Sequence, residues 1–285
     1  MNHLSAVTPD ERADVPRLDR RCRARSSGPH VNGVRIDSIS RQHYLLSIES
    51  FLSCGYSHVV HFCAAHPTVE ARRDLAFRAI LNMGSMNVPD GMAVAWAARL
   101  FGLRTERLAG TEGMYLSARW GGPRMVRHYL FGSTRHTLER LRARLEEINP
   151  GILIVGAEAP PFGPVRDADI RESVGRIQDA GTQMLWVGLG APKQELAAHR
   201  LQALHAAPVI LCVGAAFDFV AGTKRRAPVW MQQAGLEWLH RLGSEPQRLW
   251  KRYAIGNARF VAGVISDKVF LERTRSGRVA TLARK

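Results

Sequence analysis

The stretch that decides the fold is Gln183-Met-Leu-Trp-Val-Gly188-Leu-Gly190-Ala-Pro192-Lys193-Gln194-Glu195. A short apolar run here ends in glycine, and a helical pattern starts almost at once, near Pro192. Continuous apolar runs are typical of strands that are buried on both faces of a parallel sheet. Glycine permits the sharp turn from strand to helix. The stretch therefore predicts one strand–loop–helix unit of an α/β protein.

The same unit recurs along the chain. Three further apolar runs end in glycine, at Arg127–Gly132, Ile152–Gly156 and Val209–Gly214, and earlier strands are predicted at Val31–Ile36 and His58–Cys63. Helical patterns separate these runs. This alternation predicts an α/β fold with a doubly wound, mostly parallel sheet. Ligand sites of such sheets lie at the carboxyl ends of the strands.

Composition divides the chain into three segments. Residues 1–30 are polar, rich in arginine and without periodicity, which predicts a disordered basic tail. Residues 31–222 contain the strand–helix units and form the predicted core. Residues 223–285 form a predicted basic helical appendage: Pro228 to Arg259 is helical by spacing, and Pro246 is expected to separate two helices.

The positive charge is concentrated at the C-terminal end. The whole chain has a formal net charge of +15, and residues 223–285 hold 14 Lys or Arg against 4 acids, a net of +10. Such a segment indicates an anionic partner, which could be nucleic acid, phospholipid headgroups or a diphosphate.

Several kinds of site and segment are not expected. No uninterrupted apolar run reaches the roughly 18 residues of a membrane span, and the N-terminus lacks the apolar centre of a signal peptide, so we expect the protein to stay inside the cell. Cys22, Cys54, Cys63 and Cys212 form no CxxC pair, and the histidines form no HExxH motif. Asp167-Ala-Asp169 matches the DxD pattern of metal-dependent glycosyltransferases, but it opens a predicted helix, where acids complement the helix dipole. We therefore expect no metal.

The first candidate for chemistry is Asn87-Val-Pro-Asp90-Gly91-Met92, between a predicted strand and a helix over Met92–Leu100. A carboxylate at this place could cap the helix. It could equally serve as a general base that takes a proton from an attacking sugar hydroxyl. The sequence leaves both interpretations open.

The second and third candidates also follow predicted strands. In Gly188 to Glu195 the glycines would let backbone N–H groups approach a phosphate at a helix N-terminus. Lys193 occupies the place of the third glycine of a dinucleotide-binding motif, so that motif is absent. Asp218 follows the strand that ends near Gly214, where it could bind a ribose or sugar hydroxyl or cap a turn.

The fourth candidate is a group of arginines in the appendage. Arg248 and Arg252 are four residues apart and would share one face of a helix, with Arg241 seven residues earlier. Guanidinium groups bind a diphosphate through paired hydrogen bonds. The alternative is surface ion pairing, for which Glu237 and Glu245 are the nearby acids.

Taken in order, these motifs resemble the WecG/TagA/CpsF glycosyltransferase family. The likeness runs from about Val31 to Phe260 and rests on VPDG, ERLAG, GLGAPKQE, GAAFDFVAG with RAPVW, and GLEWLHRL with EPQRLWKRY. It implies a Rossmann-like core and an inverting hexosyltransferase that needs neither metal nor cofactor. It implies Asp90 as the catalytic base. The substrate-binding residues it implies, together with those proposed above, are Arg107, Gly188, Gly190, Lys193, Gln194, Glu195, Asp218, Arg241, Arg248 and Arg252.

The resemblance also implies the substrates and the place of action. The donor would be a UDP-sugar and the acceptor a polyprenyl-diphosphate-linked saccharide of a cell-surface polysaccharide or teichoic-acid-type pathway. The protein would act in the cytoplasm, peripherally on the inner face of the plasma membrane, with the appendage facing an anionic membrane surface. Homo-oligomerisation stays open.

The implied sugar is N-acetylmannosamine, but one segment departs from the family pattern. Better-known members carry Thr-x-Asn after the second strand, whereas this chain has Phe62-Cys63-Ala64-Ala65-His66. The roles of that Thr and Asn in substrate binding are not carried over. Glucose or another hexose is therefore an alternative.

Two other classes of protein were weighed. A Rossmann-type oxidoreductase would need a dinucleotide-binding motif with an acid about 20 residues beyond it, and the sequence has none. A nucleic-acid-binding protein would fit the basic C-terminal segment. The sequence carries no helix-turn-helix, zinc-finger or RRM motif, so no nucleic-acid partner is expected.

Overall fold

A parallel β-sheet covered by helices forms the centre of the protein. The computed structural model describes residues 28–282, with the backbone alone for residues 248, 252 and 274–282; most of the predicted tail therefore lies outside the described residues. The strands are β1 (His30–Val31), β2 (Val34–Arg35), β3 (His58–Cys63), β4 (Met86–Pro89), β5 (Arg127–Gly132), β6 (Leu153–Glu158), β7 (Met184–Gly188) and β8 (Val209–Cys212). Strands β3 to β8 form one sheet in the order β4-β3-β8-β7-β5-β6, and all its neighbours pair in parallel.

Helices cover this sheet and continue beyond it. They are α1 (Arg41–Ser53), α2 (Ala65–Arg73), α3 (Leu75–Met83), α4 (Met92–Leu100), α5 (Gly110–Gly121), α6 (Arg135–Ile148), α7 (Asp167–Asp179), α8 (Lys193–Ala203), α9 (Ala216–Val220), α10 (Val229–Gln233), α11 (Glu237–Ser244) and α12 (Pro246–Leu282). The predicted α/β fold is confirmed, including its Rossmann-like, mostly parallel sheet and C-terminal helices. Some helix starts follow directly from the sequence: the hydroxyl groups of Ser40 and Thr134 accept backbone N–H bonds in the first turns of α1 and α6.

The apolar strands bury residues on both faces of the sheet. Along β7, Met184 and Trp186 pack into one cluster, together with residues of α1, α5 and α6. Leu185 and Val187 point the other way, into a second cluster with residues of α7 and α8. Alternate residues of one strand therefore stabilise two helical layers, which explains why the strand is apolar throughout.

The ends of the predicted strands differ from the structure at three places. Val31–Ile36 is a two-stranded hairpin of β1 and β2, because Asn32 (φ 54°) and Gly33 (φ 81°) adopt the left-handed conformations of a tight two-residue turn. β6 continues two residues beyond Gly156. β8 ends at Cys212, since Gly214 has a positive φ of 55° and belongs to the following turn.

The C-terminal segment contains three helices where the sequence predicted two. Pro246 is the first residue of α12, a position that tolerates its missing N–H, so it begins a helix rather than interrupting one. α12 packs on α2 through the buried Phe260 and Val264. Asp267 on α12 accepts hydrogen bonds from the Asn32 backbone and from Arg72, each at 2.7 Å. Within residues 28–282, no helix is both long and apolar enough to span a membrane.

Candidate active site

Asp90 lies at the carboxyl edge of the sheet, directly after β4. Its backbone N–H donates to the carbonyl of Cys63, the last residue of β3, at 3.1 Å. The Leu108 N–H donates to the Pro89 carbonyl at 3.0 Å. These two bonds fix the peptide group that joins Pro89 to Asp90, so the carboxyl group projects where a parallel sheet normally binds its ligand.

The Asp90 carboxylate caps a helix, but not the helix that follows it. Its Oδ1 accepts the backbone N–H of Gly110, the first residue of α5, at 2.9 Å. The N-cap residue of α4 is Gly91, and no side chain caps that helix. A Cβ at Gly110 would lie 3.1 Å from the Val213 carbonyl oxygen, so α5 begins in close contact with the segment that follows β8. The Gly110 N–H bond thus ties Asp90 to this junction.

Three charged side chains act on Asp90. Arg226 donates from Nη1 to Thr111 Oγ1 at 2.6 Å, and its Nε lies 3.5 Å from Glu237 Oε1. Loss of hydration raises the pKa of Asp90 to about 6, and the negative charge of Glu237 acts in the same direction. The Gly110 N–H bond and the charges of Arg226 and Arg107 partly oppose this rise in pKa.

An aspartate with this pKa is well suited to proton abstraction. At neutral pH most molecules carry it ionised, yet it holds a proton more tightly than an ordinary aspartate. General bases are most effective when their pKa lies near the working pH. Among the predicted site residues whose side chains the structure describes, Arg107 is the one whose charge shifts the pKa of Asp90.

The glycine loop after β7 forms a second group. The Gly190 N–H donates to Gln194 Oε1 at 3.2 Å, and Gln194 Nε2 donates to Glu195 Oε1 at 2.9 Å. Gly188 has to be glycine, because a Cβ would come within 2.5 Å of the Phe217 ring. The predicted loop residues Gly190, Gln194 and Glu195 are thus joined by side-chain hydrogen bonds at the start of α8.

Glu195 is a buried carboxyl group beneath this loop. It is 2% exposed, and its Oε2 has no hydrogen-bond partner among the described residues. Burial raises its pKa to about 7. Burial also raises the pKa of the Cys63 thiol, and the charges of Glu195 and Asp90 add to that rise. Cys63 therefore lies between the Asp90 group and the glycine loop.

The other predicted binding residues make separate contacts. Lys193 lies in a crevice with Asp169 and Leu189. Asp218 closes a turn: it accepts from Thr223 at 3.4 Å and lies 3.5 Å from Lys224.

The arginines of the appendage are described only in part. The guanidinium carbon of Arg241 is 5.6 Å from the centre of the Phe219 ring. The side chains of Arg248 and Arg252 lie outside the described part of the structure, so their predicted contact with a diphosphate stays a prediction.

The DxD-like pair is occupied by ion pairs. Asp167 lies 3.1 Å from Arg200, and Asp169 lies 2.9 Å from Arg166, both at the first turn of α7. Across residues 28–282, no group of three or more His, Cys, Asp or Glu side chains could hold a metal ion.

Sequence analysis missed two charged residues of this site, Arg226 and Glu237. Both lie in motifs that the resemblance quoted, RAPVW and GLEWLHRL, but neither received a role in the site, and Glu237 was named only as a possible ion-pair partner of the arginines. Their one signal was their presence in these motifs. Thr111, the hydrogen-bond partner of Arg226, is more than 100 positions away in the chain, and only the fold brings the two together.

Comparison with known proteins identifies the family of this chain. The glycosyl transferase WecG/TagA/CpsF family matches residues 29–274, most of the chain. Two relatives are both named N-acetylglucosaminyldiphosphoundecaprenol N-acetyl-beta-D-mannosaminyltransferase. The one from Bacillus spizizenii is 29% identical over 191 residues, 66% of this chain and 72% of the relative. The one from Bacillus subtilis is 30% identical over 183 residues, 64% of this chain and 69% of the relative. A doubly wound sheet, a carboxylate at its carboxyl edge and a family match across most of the chain lead to one conclusion: this protein belongs to the WecG/TagA/CpsF family and is a glycosyltransferase.

Proposed function

We propose that this enzyme transfers N-acetylmannosamine from a UDP-sugar to a polyprenyl-diphosphate-linked N-acetylglucosamine, a step of cell-surface polysaccharide or teichoic-acid-type biosynthesis. The observation that carries the proposal is Asp90, a carboxylate with a pKa of about 6 at the carboxyl edge of the sheet. The names of the two Bacillus relatives supply the sugar and the acceptor.

The proposed reaction is a single displacement. Asp90 takes the proton of an acceptor hydroxyl while that oxygen attacks the anomeric carbon of the donor sugar. A new C–O bond forms, the bond to the diphosphate breaks, and UDP leaves with the electron pair. The positive charges of Arg107 and Arg226, which act on Asp90, are well placed to stabilise negative charge in this part of the site.

The proposed stereochemistry follows from a comparison of the anomeric configurations of the donor and the product. The relatives' names specify a β-linked product. UDP-hexoses ordinarily carry their sugar in the α configuration, so a β product requires inversion at the anomeric carbon. One base and one displacement are sufficient for inversion, which fits a site built around a single aspartate.

The donor diphosphate is proposed to lie over the loop from Gly188 to Glu195. Gly190 (φ 78°) has open space where a side chain would be, and α8 begins at Lys193. The N-terminus of a helix favours negative charge. Asp218, Arg241, Arg248 and Arg252 keep their proposed roles in substrate binding, the three arginines from the appendage side.

The appendage is proposed to hold the enzyme on an anionic membrane surface, at the cytoplasmic face where the lipid-linked acceptor is presented. Arg72, Arg73 and Arg259 line a groove between α2 and α12. On α12, exposed apolar side chains follow one another at helical spacing, including Trp250, Val261 and Ile265. Basic and apolar surface side by side is typical of helices that lie in a membrane interface. We accordingly treat residues 31–222 as the catalytic core and 223–285 as the membrane-facing appendage.

A different donor sugar is the alternative. The segment Phe62-Cys63-Ala64-Ala65-His66 adjoins the backbone contact of Asp90, and it offers a buried thiol and two methyl groups. These groups bind an N-acetyl group differently from the threonine and asparagine of better-known members. Glucose or another hexose therefore stays the second candidate for the transferred sugar.

A donor screen tests the proposal. UDP-N-acetylmannosamine, UDP-glucose and UDP-N-acetylglucosamine are each incubated with a polyprenyl-diphosphate-N-acetylglucosamine analogue, with and without EDTA. We expect transfer from UDP-N-acetylmannosamine, an inverted product and full activity in EDTA. If the enzyme uses UDP-glucose exclusively, the transferred sugar is glucose and not N-acetylmannosamine. Loss of activity in EDTA with rescue by Mn²⁺ would overturn the metal-independent mechanism.

The variant Asp90→Asn tests the catalytic assignment. It keeps the size of the side chain and an oxygen for the Gly110 N–H, but it cannot accept the hydroxyl proton. We expect a folded protein whose kcat is lower by roughly 10²–10⁴-fold. Wild-type turnover by the folded variant would rule out Asp90 as the base.

A further inference from the structure

An ion-paired arginine of the appendage is hydrogen-bonded to α5, the helix whose first N–H binds the proposed base. Glu237 is the first residue of α11, and Arg226 precedes α10. Arg226 contacts Glu237 through Nε at 3.5 Å and Thr111 through Nη1 at 2.6 Å. Thr111 directly follows Gly110, whose N–H is bound by Asp90. Only one peptide unit therefore separates the Arg226 contact from the Asp90 contact.

Neighbouring contacts hold α11 in this position. Gly235 (φ 71°) packs on α4, where a Cβ would lie 2.7 Å from the Trp96 ring. On the other side, Lys224 pairs with Glu245 at 3.1 Å. Glu237 and Arg226 are each about one-quarter exposed, so their charges are screened by water only in part. The docked appendage thus brings the negative charge of Glu237, on α11, and the positive charge of Arg226, before α10, to Asp90.

We propose that Glu237 and Arg226 are positioning residues for Asp90: through them the docked appendage sets how strongly the base binds its proton. The inference rests on the proposed role of Asp90 as general base. It assigns to α11 a function in proton transfer, in addition to covering the site.

The two residues act in opposite directions. The negative charge of Glu237 favours the protonated form of Asp90 and strengthens it as a base. Burial is the largest cause of the raised pKa, and the charge of Glu237 is the second largest. Arg226 and Arg107 favour the ionised form, as does the Gly110 N–H. Cys63, on β3, adds no negative charge of its own, because burial keeps its thiol protonated.

Docking of α11 is therefore coupled to base strength. With α11 displaced, Asp90 would lose the charge of Glu237 and regain water, and both changes lower its pKa. A weaker base removes the acceptor proton less effectively. The enzyme would then reach full turnover only with the appendage in place.

Charge-removing variants of the pair test the proposal through the pH dependence of kcat. Glu237→Gln removes the negative charge and also leaves Arg226 unneutralised, and both changes lower the pKa of Asp90. The acidic limb of the variant's kcat–pH profile should therefore move to lower pH, by roughly half a unit to one unit. Its plateau kcat should fall about two- to threefold. Arg226→Gln should move the acidic limb to higher pH, and Arg226→Lys should restore the wild-type limb.

The matched control is Glu245→Gln. It breaks the ion pair between Lys224 and Glu245, the residue that follows α11, but Glu245 is not among the charges that shift the pKa of Asp90. Its acidic limb should coincide with that of the wild type, whatever its kcat. If Glu237→Gln lowers kcat without moving the limb, as a merely structural contact would, the proposal is overturned.

A second readout separates this inference from the function on which it rests. The carboxyl carbon of Asp90 is titrated by NMR in the wild type and in Glu237→Gln, with Asp90→Asn used to assign the signal. The expected result is a lower pKa in the variant. If the pKa moves but the kcat limb does not, Asp90 is not the base and the proposed function fails. If Asp90→Asn abolishes turnover and neither pKa nor limb moves in Glu237→Gln, only the positioning role is wrong.

Discussion

Asp90 and Glu195 both have raised pKa values, but they differ in their surroundings. Asp90 is partly exposed, receives the Gly110 N–H and lies among charges from three segments. Glu195 is buried, is contacted by the neutral Gln194 amide and owes its raised pKa to burial. The first carboxyl group can exchange a proton with substrate. The second is suited to donate a hydrogen bond, because it is largely protonated below pH 7.

The pKa of Glu195 predicts that it destabilises the fold as the pH rises. In the unfolded chain it ionises near its ordinary value of 4.5, but in the folded protein near 7. Between these values the folded protein keeps a proton that the unfolded chain has lost. Stability is therefore lost as the pH rises through this range, by up to roughly 3 kcal/mol.

Glu195→Gln removes this dependence. The free energy of unfolding is measured in urea between pH 5 and pH 8 for the variant and the wild type. The difference between them should shift in favour of the variant as the pH rises and should level off above about pH 7. Asp90 titrates in both proteins, so its contribution cancels from the difference. A constant difference across this range would mean that Glu195 has an ordinary pKa in the folded protein.

At the residue scale, the sequence could single out Asp90 but not its surroundings. A proline and a glycine bracket this acid between a strand and a helix, which left a cap and a base open, and the resemblance implied the base. Arg226 and Glu237 could not be assigned, since their effect depends on distances to Thr111 and Asp90 that the fold alone determines. For Asp218 the sequence left open a sugar hydroxyl or a turn, and its side chain contacts Thr223 and Lys224 in a local turn.

At the scale of elements, a glycine determines how α12 lies on the core. A Cβ at Gly263 would come within 1.7 Å of Asn32 Oδ1, and Asn32 is fully buried in the β1–β2 turn. We predict that Gly263→Ala destabilises the protein by about 1–3 kcal/mol, because either α12 or the hairpin must move. Thermal unfolding measures this loss.

Gly256 is the matched control in the same helix. A Cβ there meets nothing within 4 Å, so Gly256→Ala gains helix propensity without a clash. It should be neutral or stabilising, by up to about 1 kcal/mol. Equal melting temperatures for the two variants would show that α12 does not rest on Asn32.

The elements themselves were predictable where one physical preference dominates. β3 has the predicted bounds, since six consecutive buried residues admit no other interpretation within a parallel sheet. The length of α12 was not predictable, because proline is compatible both with the end of one helix and with the start of the next. Asn32-Gly33 is a recognisable hairpin turn, but the apolar residues on both sides favoured one continuous strand.

At the scale of the whole molecule, charge and apolar surface meet along α12. The side chains of Trp250, Val261 and Ile265 are 51%, 55% and 59% exposed, although each is large and apolar. Phe260 and Val264, each one residue before an exposed member of this stripe, pack on the core from the neighbouring face of the helix. The same helix contributes Arg259 to the arginine groove between α2 and α12, so α12 offers both basic and apolar groups to lipid headgroups and acyl chains.

Vesicle binding tests this arrangement. Each Lys or Arg near an anionic surface contributes about 1 kcal/mol, so reversing two of them should weaken attachment strongly. We predict that Arg73→Glu/Arg259→Glu lowers co-sedimentation with phosphatidylglycerol vesicles at least tenfold, and that neutral vesicles bind neither protein well.

Arg135→Glu/Arg171→Glu changes the net charge equally, but on α6 and α7, which cover the sheet elsewhere. If the two double variants bind equally, total charge rather than the groove governs attachment. If neither differs from the wild type, α12 does not face the membrane. If vesicle binding is lost only in Arg73→Glu/Arg259→Glu, the membrane-facing surface lies on α2 and α12, because the two double variants change the net charge equally and differ only in where the charge is reversed.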